Sequence, residues 1–391
     1  MKDFIKYHVF AIVIAFILSV SVIYIMISND VFYTKNNTQK TIKGRFNDSS
    51  KLSANLVENE KSEAQLIGSL REKNGITLFA SSELSTSSIN IPYIFLPDSL
   101  GIRVNAFGHA HQQSFSIFCQ LLALKDEIKD SKITIILSPG WFQGEGTNIE
   151  AFLEFVRPNF LKQIIKDDSV PLAYKLYIGE YLYKNQELIS NSNSSIDYFI
   201  NLYKHKDNEK LMAFFENRKI EFEEINYQIE NSKKIIYKNQ KIDWQKKFMT
   251  ATENFADSTT ENSIYVLNSY YNKYLKNESG NFTKSDFTIQ ETTNNRELND
   301  FHLLVKLLKK MNAKPSFMIQ ALNPYFYNDL NKFNPILRNI ITTLKKEKIP
   351  FINFYTDKEG DYKPGTLLDI MHSGEPTWIK YNHFLVNTYV K

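Results

Sequence analysis

Ile76-Thr77-Leu78-Phe79-Ala80-Ser81-Ser82-Glu83-Leu84-Ser85 decides how the chain is read. The short apolar run at its start has the length and β-branched character of a buried strand. It feeds two serines and an acid, where a helix can begin. A serine at the carboxyl end of such a strand stands at the edge of an α/β sheet, where ligands bind. Far downstream lies Asp369-Ile370-Met371-His372. An Asp three residues before a His completes a nucleophile, base and orienter set in the order Ser82, Asp369, His372. Each piece alone is more often a turn serine, a loop aspartate and a surface histidine. Together they point to acyl chemistry on a serine, with Ser81 as the rival nucleophile.

Outward from that strand the pattern repeats. Ile102–Phe107 alternates as a second strand and ends at Gly108-His109-Ala110-His111-Gln112-Gln113, before a helix over Ser114–Leu124. Ile133–Leu137 is a third, almost wholly apolar strand, ending at Ser138-Pro139-Gly140-Trp141-Phe142. Strand, loop and helix in alternation predict a parallel sheet with crossovers. From about 148 to 300 the pattern changes. Ala151–Lys166, Tyr174–Leu188 and Ile220–Phe248 are rich in Lys, Glu, Tyr and Asn at helical spacing, with no strand of comparable strength, so a mostly helical insertion is expected there. Sheet signals return as strands at Pro315–Gln320 and Pro350–Phe354. Helices are expected at Leu298–Met311, Asp329–Lys346 and Thr377–Tyr389.

The ends of the strands carry the chemistry. The loops at Ser81/Ser82, at Gly108–Gln113, at Ser138–Phe142 and at Asp369–His372 share one edge of a parallel sheet and can converge. A serine hydroxyl is a poor nucleophile until an imidazole takes its proton, and a carboxylate fixes the tautomer of that imidazole. A developing oxyanion needs fixed donors. The N–H groups of Ser82 and Gly108 and the amides of Gln112 and Gln113 are candidates, with Ser138 and Trp141 on the next loop. His109 and His111 invite a metal reading, but no carboxylate or third His stands near them in sequence, so loop histidines lining a cleft fit better and no metal or cofactor is expected. Trp141 and Trp378 read as cleft wall or core. Glu83 reads as a first-turn acid complementing the helix dipole.

Composition bounds the rest. Of 391 residues, 43% are hydrophobic and 23% charged, which allows a sizeable core and argues against wholesale disorder. The net charge of +4 is mild, and no basic cluster interleaves with aromatics, so a nucleic-acid partner is not expected. Cys119 is the single cysteine, so no intrachain disulfide or multi-Cys metal site can form. Lys2 and Lys6 precede an uncharged apolar run, Val9–Ile27. Roughly 20 residues at about 1.5 Å each cross a bilayer core of about 30 Å. Residues 1–28 are therefore expected to be an uncleaved membrane anchor, residues 29–75 a stalk and first helix, and 76–391 the catalytic domain. Lys35, Lys40, Lys43 and Arg45 follow the span, so the positive-inside rule barely chooses an orientation.

The apolar N-terminal run, Ala80-Ser81-Ser82-Glu83-Leu84-Ser85, Ser138-Pro139-x-Trp141-Phe142 and Asp369-x-x-His372 together resemble the DltD family, membrane-anchored proteins of teichoic acid D-alanylation. The resemblance covers most of the chain and is weakest in the helical middle. It implies an SGNH-hydrolase-like, flavodoxin-like α/β sheet flanked by helices. It also implies that Ser82 is the nucleophile, His372 the base, Asp369 the orienter, and Gly108 the glycine of the second SGNH block. Ala80 and Ser81 depart from the Gly-Asp-Ser pattern, and the Asn of the third block has no clear equivalent in Ser138–Phe142. The implied activity is extracytoplasmic D-alanyl transfer onto lipoteichoic acid through an acyl-serine. The implied partners are a membrane-bound O-acyltransferase and a D-alanyl carrier protein. An esterase or thioesterase using water as acceptor, and a non-catalytic scaffold binding the carrier protein or teichoic acid, are the alternatives.

Overall fold

The computed structural model describes residues 13–21, 39–45, 60–86, 88–206, 224–230, 241–256, 258–259, 261–289 and 293–390. In chain order the first elements are β1 (Gln39–Arg45), α1 (Glu60–Arg71), β2 (Ile76–Phe79), α2 (Pro92–Leu100), β3 (Val104–Phe107), α3 (Ser114–Ala123) and β4 (Lys132–Leu137). The helical middle follows as α4 (Ile149–Phe155), α5 (Pro158–Lys166), α6 (Leu172–Lys184) and α7 (Ser194–Lys204), then β5 (Glu224–Glu230) and α8 (Trp244–Ala256). The chain ends with β6 (Ser285–Asp286), α9 (Arg296–Lys310), β7 (Lys314–Ile319), β8 (Tyr327–Asn328), α10 (Asn334–Lys346), β9 (Phe351–Asn353) and α11 (Glu375–Tyr389).

Among the described residues, five strands form the central sheet in the order β3-β2-β4-β7-β9, every pair parallel. Counted along the chain these are strands 2-1-3-4-5, the doubly wound order whose direction reverses between the first and third strands. Ser82 follows one of those two strands and Ser138 the other. Both faces of the sheet are buried, which explains the near-continuous apolar runs. Phe79, Phe107, Ile133, Ile135, Phe317 and Ile319 point to the face covered by α1, α3–α7, α9 and α10. Ile76, Leu78, Val104, Ile136 and Met318 point the other way, under α2, α8 and α11, where Trp378 and Tyr381 are fully buried. Successive strand residues therefore serve opposite cores.

Two expectations change, and a third lies mostly outside the described residues. The stretch Ile220–Phe248 is not helical throughout: Glu224–Glu230 is a strand, pairing in parallel over seven residues with Gln39–Arg45 from the expected stalk. Gln39–Arg45 is mostly polar and carries no clear alternation, but Glu224–Glu230 sets Ile225, Tyr227 and Ile229 between polar residues, a period-two pattern that the helical reading of this stretch overlooked. The helix expected from Asp329 starts at Asn334, after a 3-10 turn at Leu330–Phe333. Pro335 lacks an N–H and fits the first turn of a helix, so the α-helix begins beside it. In the apolar run Val9–Ile27, residues 13–21 are helical and exposed, with Phe16 at 70%. The rest of the run lies outside the described residues, and among the described residues no helix is long and apolar enough to cross a membrane.

Candidate active site

β2 ends at Phe79, and the chain turns through Ala80 and Ser81 into a 3-10 turn, Ser82–Ser85. Two groups fix that turn. The buried Glu83 carboxylate reaches back to accept the Ser81 N–H at 2.7 Å. The Ala80 N–H donates to Phe107 O at 3.2 Å, keeping the ends of β2 and β3 together. Ser82 is the first residue of the turn, and such N–H groups have no partner within the turn itself.

The base arrives from the other end of the chain, 290 positions later. His372 Nε2 lies 3.0 Å from Ser82 Oγ, and His372 Nδ1 lies 2.7 Å from Asp369 Oδ2. Asp369 Oδ1 accepts the backbone N–H groups of Met371 (2.8 Å) and His372 (2.7 Å). One carboxylate thus shapes its own loop and orients the imidazole, which a spacing of three residues permits. The loop is pinned from outside as well. Leu368 N–H donates to His372 O at 2.7 Å, Asn323 N–H donates to Ile370 O at 3.1 Å, and the fully buried Gln320 donates its amide to Met371 O.

The electrostatics follow from this geometry. Burial pushes the Asp369 carboxyl up, but the bond to His372, its charge and the two backbone N–H groups outweigh burial and hold the carboxyl below the usual range. Burial pushes His372 down, yet the Asp369 bond and charge, with a smaller contribution from Glu83, raise it above its ordinary value. Burial pushes the Glu83 carboxyl up, against the opposing effect of the Glu83 and Ser81 N–H groups and of His372.

Sequence reasoning named Ser82, His372 and Asp369, and the fold brings these three together. Gly108 has φ +132°, and a Cβ there would sit 1.9 Å from Ala80 O, so only glycine fits the backbone approach to the serine turn. Gln112 is 1% exposed, and its amide is oriented so that Nε2 donates to the carbonyls of Ala80 (3.0 Å) and Phe107 (3.1 Å). It ties two strand ends together. The Gln113 N–H donates to Ser116 Oγ at 3.3 Å at the start of α3. Ser138 is buried and opens the 3-10 turn Pro139–Gln143, and Trp141, 5% exposed, belongs to the core on the α3 face. His109 packs on Phe155 and lies 3.6 Å from Glu154.

The roles of Glu83 and Gln320 were missed. From sequence Glu83 reads as a first-turn acid complementing the helix dipole; in the structure it is 3% exposed and accepts from the backbone before the serine. Gln320 stands one residue beyond β7, and its place at the carboxyl end of a core strand was the available signal.

Residues 49–390 match the family described as DltD protein. The chain belongs to the DltD family. Protein DltD of Staphylococcus aureus (strain NCTC 8325 / PS 47) is 22% identical over 269 residues, an alignment spanning 66% of this chain and 66% of that relative. The family is linked to D-alanylation of lipoteichoic acid in the cell envelope. The matched region contains every residue of the Ser82–His372–Asp369 set.

Proposed function

We propose that this protein transfers D-alanyl groups onto lipoteichoic acid through an acyl-Ser82 intermediate, on an SGNH-hydrolase-like sheet anchored outside the membrane by the N-terminal apolar run. The observation that carries the reading is the unbroken chain of contacts from Ser82 Oγ through His372 to Asp369, at 3.0 and 2.7 Å. His372 Nε2 takes the hydroxyl proton as Oγ attacks the acyl carbonyl. The tetrahedral oxygen is held by the N–H groups of Ser82 and Gly108. Collapse breaks the bond to the donor, and His372 hands the proton to the departing atom. An acceptor hydroxyl then gives its proton to His372, attacks the acyl carbon, and returns Ser82 as a free hydroxyl. The D-alanyl carrier protein and the membrane-bound O-acyltransferase are the proposed partners on the donor side.

Intact-mass analysis of the full-length protein after incubation with a D-alanyl thioester tests the reading. A D-alanyl mass increment mapped to Ser82, absent in Ser82→Ala and retained in Ser81→Ala, is the expected result. An increment that persists in Ser82→Ala would remove the serine from the mechanism.

A further inference from the structure

Ser82 and His372 come from opposite ends of the chain, so the two segments that carry them must be fixed against each other. His372 is followed by Ser373 and Gly374, and Glu375 is the first residue of α11. This segment is closely held. Leu367 and Ser373 form an antiparallel bridge, the Gly374 N–H donates to Thr366 O at 2.8 Å, and Thr377 Oγ1 donates to the same carbonyl at 2.8 Å. A Cβ on Gly374 would lie 2.1 Å from Gly365 O, so the chain crosses itself there backbone to backbone. The imidazole and the Glu375 carboxylate therefore belong to one tightly tied unit.

On the serine side, the chain leaves the turn Ser82–Ser85 and passes through Ser88-Ile89-Asn90 before α2. Glu375 Oε2 accepts the hydroxyl of the buried Ser88 at 2.8 Å and the side-chain amide of Asn90 at 2.5 Å. The Asn90 N–H donates to Ser88 Oγ at 3.0 Å, and the Ser88 hydroxyl proton goes to the carboxylate. About two turns further along α11, the fully buried Asn382 donates its amide to Asn90 O at 2.8 Å. An acid at a helix start often serves the helix dipole alone. Here one carboxylate oxygen collects two donors from the serine segment, and hydrogen bonds to a charged acceptor are about twice as strong as neutral ones.

We propose that Glu375 is a positioning residue: through Ser88 and Asn90 it latches the serine segment to the histidine segment and holds Ser82 Oγ within reach of His372 Nε2. The proposal rests on the acyl-serine reading above. Asp369 and Glu83 are the carboxylates that act on the imidazole, so Glu375 sets the distance between nucleophile and base and leaves the basicity of His372 alone.

The test follows acyl-enzyme formation on the full-length protein by intact mass, with the D-alanyl thioester of N-acetylcysteamine at varied concentration and pH. Glu375→Ala is expected to lower the maximal rate by about ten- to a hundredfold, since misplacing a reacting group by about 1 Å can cost that much. The half-saturating concentration should barely change. Glu375→Gln keeps an oxygen that accepts both donors and should retain most of the rate. Asn90→Ala removes one donor but leaves the Asn90 carbonyl for Asn382, and should show a smaller loss of the same kind. The double variant should be no slower than Glu375→Ala, because both changes break one latch. The acid limb of the pH profile should keep its midpoint throughout, as Asp369 is intact. A wild-type rate in folded Glu375→Ala, a Gln variant as slow as the Ala variant, additive losses in the double variant or a shifted midpoint overturns the latch and leaves the acyl-serine reading standing. If Glu375→Ala does not fold, Asn90→Ala decides, and a wild-type rate there overturns the latch. Acylation of Ser82→Ala, or no acylation of the wild type, overturns the acyl-serine reading itself and the latch with it.

Discussion

Replacing Gly108 by Ala should damage both fold and site, and its size follows from the backbone. The new Cβ would lie 1.9 Å from Ala80 O and 2.1 Å from the Gln112 side-chain amide, at a φ of +132°. A non-glycine residue in such a region costs about 1–3 kcal/mol of backbone strain. Overpacking against a carbonyl that is fixed by neighbouring strands adds about 1–3 kcal/mol. The sum, about 2–6 kcal/mol, is a large part of the 5–15 kcal/mol that keeps a typical domain folded. Urea unfolding followed by circular dichroism, with a slope near 3 kcal/mol/M, should show the midpoint falling by about 1–2 M. Gly144→Ala is the control, because nothing lies within 4 Å of its added methyl and its φ is −101°. Since Gly108 bears on the carbonyl next to the serine turn, acylation at Ser82 should fall even at a urea-free temperature where the variant remains folded. Equal midpoints for the two glycine variants would refute the argument that a tight backbone approach fixes the serine turn.

Asp369→Asn should leave the melting temperature within a few degrees of wild type and lower kcat by up to about four orders of magnitude, because the imidazole loses the acceptor that selects its tautomer. Steady-state kinetics beside thermal unfolding check it, and wild-type turnover would take Asp369 out of the mechanism. The reaction needs neutral His372, whose pKa is raised above 6.5, so activity should be lost as pH falls and the acid limb of kcat/KM should have its midpoint above 6.5. In Asp369→Asn that midpoint should move down, as the carboxylate that favours the imidazolium is gone. Glu83→Leu leaves the Ser81 N–H without its acceptor at a cost of about 1–3 kcal/mol and should lower kcat with little change in KM. Glu83→Gln keeps an acceptor and should retain much more of the activity, so equal losses in both variants would deny Glu83 its role in setting the serine turn.

The sheet was legible because both of its faces are buried. Ile76–Phe79 and Lys132–Leu137 read as apolar runs since each alternate residue enters a separate core. The Ser82 and Asp369–His372 set was legible because the aspartate serves its own loop, so its spacing is local and visible. The β1–β5 ribbon was legible in one strand only. Gln39–Arg45 is mostly lysine, arginine, glutamine and threonine without alternation, whereas Glu224–Glu230 alternates Ile225, Tyr227 and Ile229 with polar residues and could have been read as a strand. The direction of an amide is a tertiary matter. Gln112 offered a donor on a loop near the serine, and only the closeness of the Ala80 and Phe107 carbonyls explains why that donor turns inward.

The β1–β5 ribbon also bears on how the chain is made. Gln39 pairs with Glu224, so the first strand leaves the ribosome long before its partner exists. At about 5–20 residues per second, the gap lasts on the order of 10–40 s. Throughout that interval the first strand has no partner of its own. Lys40, Lys43 and Arg45 place three like charges along Gln39–Arg45, and charged side chains on an open edge discourage pairing with the wrong chain. The polar composition that hid this strand from sequence reading is thus what keeps it available for its late partner during synthesis.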